Sequence, residues 1–148
     1  MKLFICDGTP DGFFTAVFEA FNISDCIITS NSEVQLSLDS EIVRVEADYT
    51  KSERVKTAIN RADREALADI AFVLRSCDSL KEQTAFEYIK ALMKKKAPVK
   101  NAYNLPEVVD FNDILYKVTG EIHRLKGLLR FMESANGAFY APYSPDND

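Results

Sequence analysis

The chain has 148 residues, 47% hydrophobic and 28% charged, which suits one domain with its own core. Its formal net charge of -5 argues against a protein coated in basic charge, so any contact with nucleic acid needs a local cluster of Lys and Arg. Cys6, Cys26 and Cys77 are odd in number and widely spaced, which argues against a disulfide framework and predicts buried thiols in a reducing compartment.

Residues 2–6 (KLFIC) read as a short strand closed by the turn-forming pair Asp7-Gly8. Phe13, Phe14, Val17, Phe18 and Phe21 then recur at helical spacing and predict an amphipathic helix packed on the core. Residues 25–29 (DCIIT) suggest a second strand. Val34, Leu36 and Leu38 alternate with polar residues, as do Val43, Val45 and Ala47. Split by Asp39-Ser40-Glu41, these two runs predict a β-hairpin or adjacent strands half facing water.

From residue 50 the period becomes helical. Thr50-Lys51-Ser52-Glu53 has the spacing of a capping box, with Val55, Ala58, Ile59 and Ala62 as the apolar stripe behind it. Leu67, Ile70, Ala71 and Leu74 mark a further helix. Ser79-Leu80-Lys81-Glu82 reads as a second capping box, opening a helix whose inner face is Ala85, Phe86, Ile89, Leu92 and Met93. Lys94, Lys95 and Lys96 close that helix before Pro98. With Lys100 they form either a phosphate-tracking patch or a solvated helix end favoured by its dipole. Asn104-Leu105-Pro106-Glu107 predicts another helix start, followed by Val108, Phe111, Leu115, Val118, Ile122 and Leu125 on one side. Residues 128–132 and 138–142 flank Asn136-Gly137, so a C-terminal β-hairpin is expected. The order of elements lacks regular β-α-β alternation. It therefore predicts a single α+β domain over residues 1–148, with N-terminal strands and one helix, a central set of helices and a closing hairpin.

Chemistry-bearing patterns are sparse. One histidine and no paired cysteines give no metal site, and neither a phosphate-cradling Gly-rich loop nor a nucleophile elbow is present. No cofactor is expected. The segment 120–131 is the densest candidate: His123 borders the apolar face beside Tyr116 and Thr119, and Arg124, Lys126 and Arg130 cluster around it. Gly120 and Gly127, seven apart, would permit close backbone approach. The segment reads either as a phosphate contact with His123 as hydrogen-bond donor, or as a helix end carrying favourable cations. An enzyme reading makes His123 the acid or base, with Glu121 or Asp113 as its acidic partner. Asp146 and Asp148 read as a frayed end.

Two stretches resemble the "probable DNA metabolism protein" family, also called domain of unknown function 4130. The opening 7–21 (DGTPDGFFTAVFEAF) is similar to the family's strand, turn and helix, with Cys6 where a Tyr is expected. The run 121–131 (EIHRLKGLLRF) is similar to its second signature, with Leu128 in place of a Phe. Tyr140-Ala141-Pro142 and residues 144–148 resemble the stretch that follows, with Asn147 in place of a His. Family members continue beyond this point, so the chain is expected to be the N-terminal part of a longer domain. The resemblance implies an accessory role in DNA modification or repair. It implies DNA and a radical S-adenosylmethionine protein as partners, and His123, Arg124, Lys126 and Arg130 as the nucleic-acid contacts. A nucleic-acid hydrolase or glycosylase using His123, and a purely structural docking subunit, are the alternatives. No apolar run approaches the roughly 20 residues that span a bilayer. The opening is too short and polar for a signal peptide, so a cytoplasmic protein without membrane contact is expected.

Overall fold

Lys2–Ile5 (β1) is the middle strand of a three-stranded sheet in the computed structural model, which describes residues 1–34, 39–128, 132–133, 135–140 and 146. Its neighbours are Cys26–Thr29 (β2) and Glu41–Arg44 (β3), in the order β2-β1-β3. Both pair with it in parallel, Leu3 facing Ile27 on one side and Ile42 on the other. Leu3, Phe4 and Ile28 are buried, whereas β3 is an edge strand with Glu41, Ile42 and Arg44 exposed.

Residues 41–44 pair in parallel with β1; of the preceding run, 35–38 (Leu36 and Leu38 included) lie outside the described residues, and with them the expected pairing of the two runs. Pro10–Ala20 (α1) supplies the crossover that a parallel β1–β2 pair requires. The fold is thus mixed, with a β-α-β unit at its start.

Pro10 stands at the first turn of α1, and the Thr9 hydroxyl accepts from the Gly12 N–H at 3.0 Å. Phe13, Phe14 and Val17 are buried as their spacing predicts, but Phe18 is only half-buried and Phe21 is 38% exposed. Tyr49–Ala62 (α2) packs along α1, burying Ile59 and Ser52. Its cap is Asp48, which accepts from the N–H groups of Thr50 and Lys51, not the predicted Thr50. Ala66–Leu74 (α3) buries Ala66, Ile70 and Val73.

Lys81–Lys95 (α4) lies against β2 and α5, the latter spanning Pro106–Leu128. The predicted capping box at Ser79 is not formed: α4 has no side-chain cap, and Glu82 turns inward to accept from the Ser30 hydroxyl at 2.6 Å. Gln83 satisfies the Ile28 N–H at 2.9 Å, so two adjacent residues of α4 tie it to β2 and the loop after it. The ring of Tyr88 on α4 stacks on that of Phe111 on α5. Near the end of the chain, Met132–Glu133 (β4) and Phe139–Tyr140 (β5) pair antiparallel around the Asn136-Gly137 turn. Most of the remaining predicted hairpin, 129–131 and 141–142, falls outside the described residues. Cys6 and Cys26 are buried thiols, but Cys77 is exposed.

Candidate functional site

The predicted contact residues His123, Arg124 and Lys126 sit on the last turns of α5, and all three are exposed. At 1.5 Å per residue α5 is about 35 Å long. Val118 is buried, and among 119–127 none is. Ile122 still packs against the core and Leu125 is half-buried, so this end of the helix lies along the margin of the core with His123, Arg124 and Lys126 on its exposed sides. Arg124, Lys126 and Lys117 have no ion-pair partner among the described residues. Arg130 lies outside the described residues.

Helical rotation divides this group. His123 and Lys126, three apart, share a flank, while Arg124 points about 160° away from Lys126 and aligns with Lys117. Two cationic edges result, one of His123 and Lys126 and one of Lys117 and Arg124. Neither acid proposed for His123 reaches it. Asp113 is about 15 Å away along the axis. Glu121, two residues off, faces another side of the helix and accepts from the backbone N–H of Asp146 at 2.5 Å. Gly120 and Gly127 face open space, so no neighbouring backbone uses their missing side chains.

Lys100, grouped in the sequence with Lys94, Lys95 and Lys96, belongs elsewhere. It pairs with Asp69 at 3.0 Å, which holds its ammonium above the usual lysine range. Lys94, Lys95 and Lys96 are exposed at the end of α4. Among the described residues no group of His, Cys, Asp and Glu is arranged to hold a metal.

A second feature was not visible in the sequence. At the carboxyl ends of β1 and β2, where ligands commonly sit in parallel sheets, a cavity of about 330 Å³ is bounded by Cys6, Thr9, Phe13, Leu74, Arg75 and Glu82. The start of α1 opens beside it. A helix N-terminus of this kind is suited to an anion, but Asp7 already covers it. Its Oδ1 accepts from the Thr9 N–H at 2.9 Å and the Thr9 hydroxyl at 2.6 Å. A Cβ on residue 12 would collide with that same oxygen, so Gly12 is what lets the carboxylate fold over the helix. The Cys6 thiol donates to Thr29 O at 3.5 Å, and burial pushes its pKa up, which suits an unreactive thiol. Buried acid and protonated sulfur thus form part of the wall, with the exposed Arg75 as the cation among the lining residues.

Residues 79–148 match the family model described as "Domain of unknown function (DUF4130)". That is just under half of the chain. The matched part contains α4, α5 and the 121–131 signature, and not the opening 7–21. No curated protein and no solved structure matches the chain. No helix among the described residues is long and apolar enough to cross a membrane.

Proposed function

We propose that this chain is a cytoplasmic accessory protein of DNA modification or repair, which contacts nucleic-acid phosphates through the exposed sides of the end of α5. The observation that carries the reading is the run 119–127, where no residue is buried and His123, Arg124 and Lys126 stand exposed. Exposed cations with no ion-pair partner among the described residues are available to an external polyanion, and counterion release supplies the driving force. Two cationic edges on a rod suit backbone contact more than base readout, so binding is expected to be sequence-tolerant. The match of residues 79–148 is to a domain of unknown function; the place in DNA metabolism, beside a radical S-adenosylmethionine enzyme, rests on the resemblance of 7–21 and 121–131 to that family.

The test is binding to short single- and double-stranded DNA and RNA across a salt series. Arg124→Ala and Lys126→Ala should each weaken binding about equally for all sequences, and lower the slope of log K against log salt by about 1. Unchanged binding of the double variant at low salt would remove α5 as the contact surface. His123→Ala should lower affinity only.

A further inference from the structure

Between α1, α2 and α4 runs an apolar trough unrelated to the end of α5. Two adjoining hollows, of about 360 and 660 Å³, share Phe21, Asn22 and Met93. The first is floored by the buried Val17, Ile59 and Ile89 and walled by Phe18, Val55 and Ala58. Phe21, at the end of α1, leaves 38% of its surface in water on the lip. The rim is cationic. Arg54 stands over one hollow, Lys90, Lys94 and Lys96 over the other. In a chain of net charge -5, that concentration of positive charge around apolar surface runs against the average. Lys96 adds a second anomaly. It holds the left-handed conformation at φ 50°, ψ 33° at the end of α4, where glycine is the unstrained choice, so a lysine side chain is kept there against backbone preference.

We propose that this trough docks an acidic amphipathic segment of a partner protein, its apolar anchors seated between Phe18, Phe21 and Met93 and its carboxylates on Arg54, Lys94 and Lys96. Hydrophobic contact gives the affinity, and the basic rim selects the sign of the partner and its register. Methionine on the wall adapts to the shape of the anchor. Nucleic acid fits this surface less well. Base stacking needs open aromatic faces, and the face of Phe18 is already covered by the Arg54 guanidinium at 5.2 Å and the Lys51 ammonium at 5.9 Å. Phe21 on the lip is the other aromatic of the two linings and the rest of the apolar wall is aliphatic, so successive bases meet no row of open rings. This inference does not depend on the reading of α5.

The probe is a fluorescein-labelled synthetic peptide with Leu and Phe at i, i+3, i+4 and i+7 and Glu on the other face, read by anisotropy against the full chain. A control peptide of the same composition has its apolar stripe scrambled. Saturable binding of the first peptide and not the second is expected. It should weaken roughly tenfold in Ala58→Glu, which places an acid at the wall, and by a similar factor in Lys94→Glu/Lys96→Glu. Residues 58, 94 and 96 are exposed, so these variants should keep the parent melting temperature. Lys96→Gly removes the cation while relieving the left-handed backbone, so weaker binding in that variant is not the result of a destabilised helix end. Arg124→Ala/Lys126→Ala should leave peptide binding unchanged. Equal binding of the scrambled peptide, no saturable binding, or displacement of the peptide by oligothymidylate would each overturn the proposal.

Discussion

Tyr88 lies flat on Phe111, ring centroids 3.8 Å apart and planes 12° from parallel, and this stack joins α4 to α5 at the centre of the core. Both side chains are fully buried, and the Tyr88 hydroxyl has no hydrogen-bond partner among the described residues. Burial, with Asp63 and Asp69 nearby, pushes its pKa well above the usual tyrosine range. Tyr88→Phe should therefore stabilise the protein by about 1 kcal/mol, because an unsatisfied buried hydroxyl is removed with the ring retained. In the parent, stability should fall as pH rises above about 10, where the unfolded phenol ionises first, and the variant should lack that component. Melting curves at neutral and alkaline pH read both effects. Phe111→Ala should cost about 3–5 kcal/mol.

The heads of α1 and α2 are joined by Asp11, which accepts from Lys56 Nζ and Ser52 Oγ, each at 2.7 Å. The Lys56 contact, then Ser52, holds the Asp11 carboxyl below the usual aspartate range. A depressed acid contributes stability above its unfolded pKa of about 3.9 and loses it as pH falls through the folded value. Asp11 is 44% exposed, so solvent screens the pair. Asp11→Asn should cost less than about 1 kcal/mol at neutral pH. The difference from the parent should shrink with added salt and vanish in acid, as read by denaturant melts.

Gly12 and Asp7 form a couple that can be taken apart. Gly12→Ala drives the Asp7 carboxylate off Thr9, and should cost about 1–2 kcal/mol for the hydrogen bonds lost. In an Asp7→Ala background the obstacle is gone and the same substitution should cost little. A double-mutant cycle measures this coupling, and additivity of the two costs would show that the contact is not formed.

Glu82 is 4% exposed and accepts from Ser30 at 2.6 Å. Ser30→Ala should cost about 1.5–3 kcal/mol, since the hydrogen bond goes to a charged group. Glu82→Gln, which keeps an acceptor, should cost less. Equilibrium unfolding of the two variants checks the order.

Helix existence was legible from residues 13–17, 85–92 and 108–118, because the 3.6-residue period of a buried face is written locally. The caps were less so. Asp48 and Thr50 are both acceptable caps by residue type, and only the chain path chooses between them. Glu82 has capping-box spacing, yet a tertiary partner 52 residues away claims it. The parallel sheet was hidden for another reason. Strands of four residues carry little period, and no helix stands between β2 and β3 among the described residues, so the order looked irregular. Charge at 123–126 was visible in the sequence. The separation of Arg124 from Lys126 follows only once 106–128 is known to be one continuous helix. The trough was hidden because its walls come from three helices, and because Phe18 and Phe21 read as core when both keep part of their surface in water.

Residue 79, where the family match begins, is a boundary in sequence comparison that the molecule does not respect. α4 lies on β2 from the other side of that line, and α5 packs on α3. Cutting the chain there would take α4 from β2, leaving α1 as the helix still on the sheet, and would leave Phe86, Phe111 and Tyr88 without α3, so neither piece should keep its core alone. Mixed together, two such fragments should find each other and restore the whole, as complementing halves of a split protein do. An insertion or fusion made at that junction should therefore be chosen for what it does to a continuous core, and not as a hinge between independent modules.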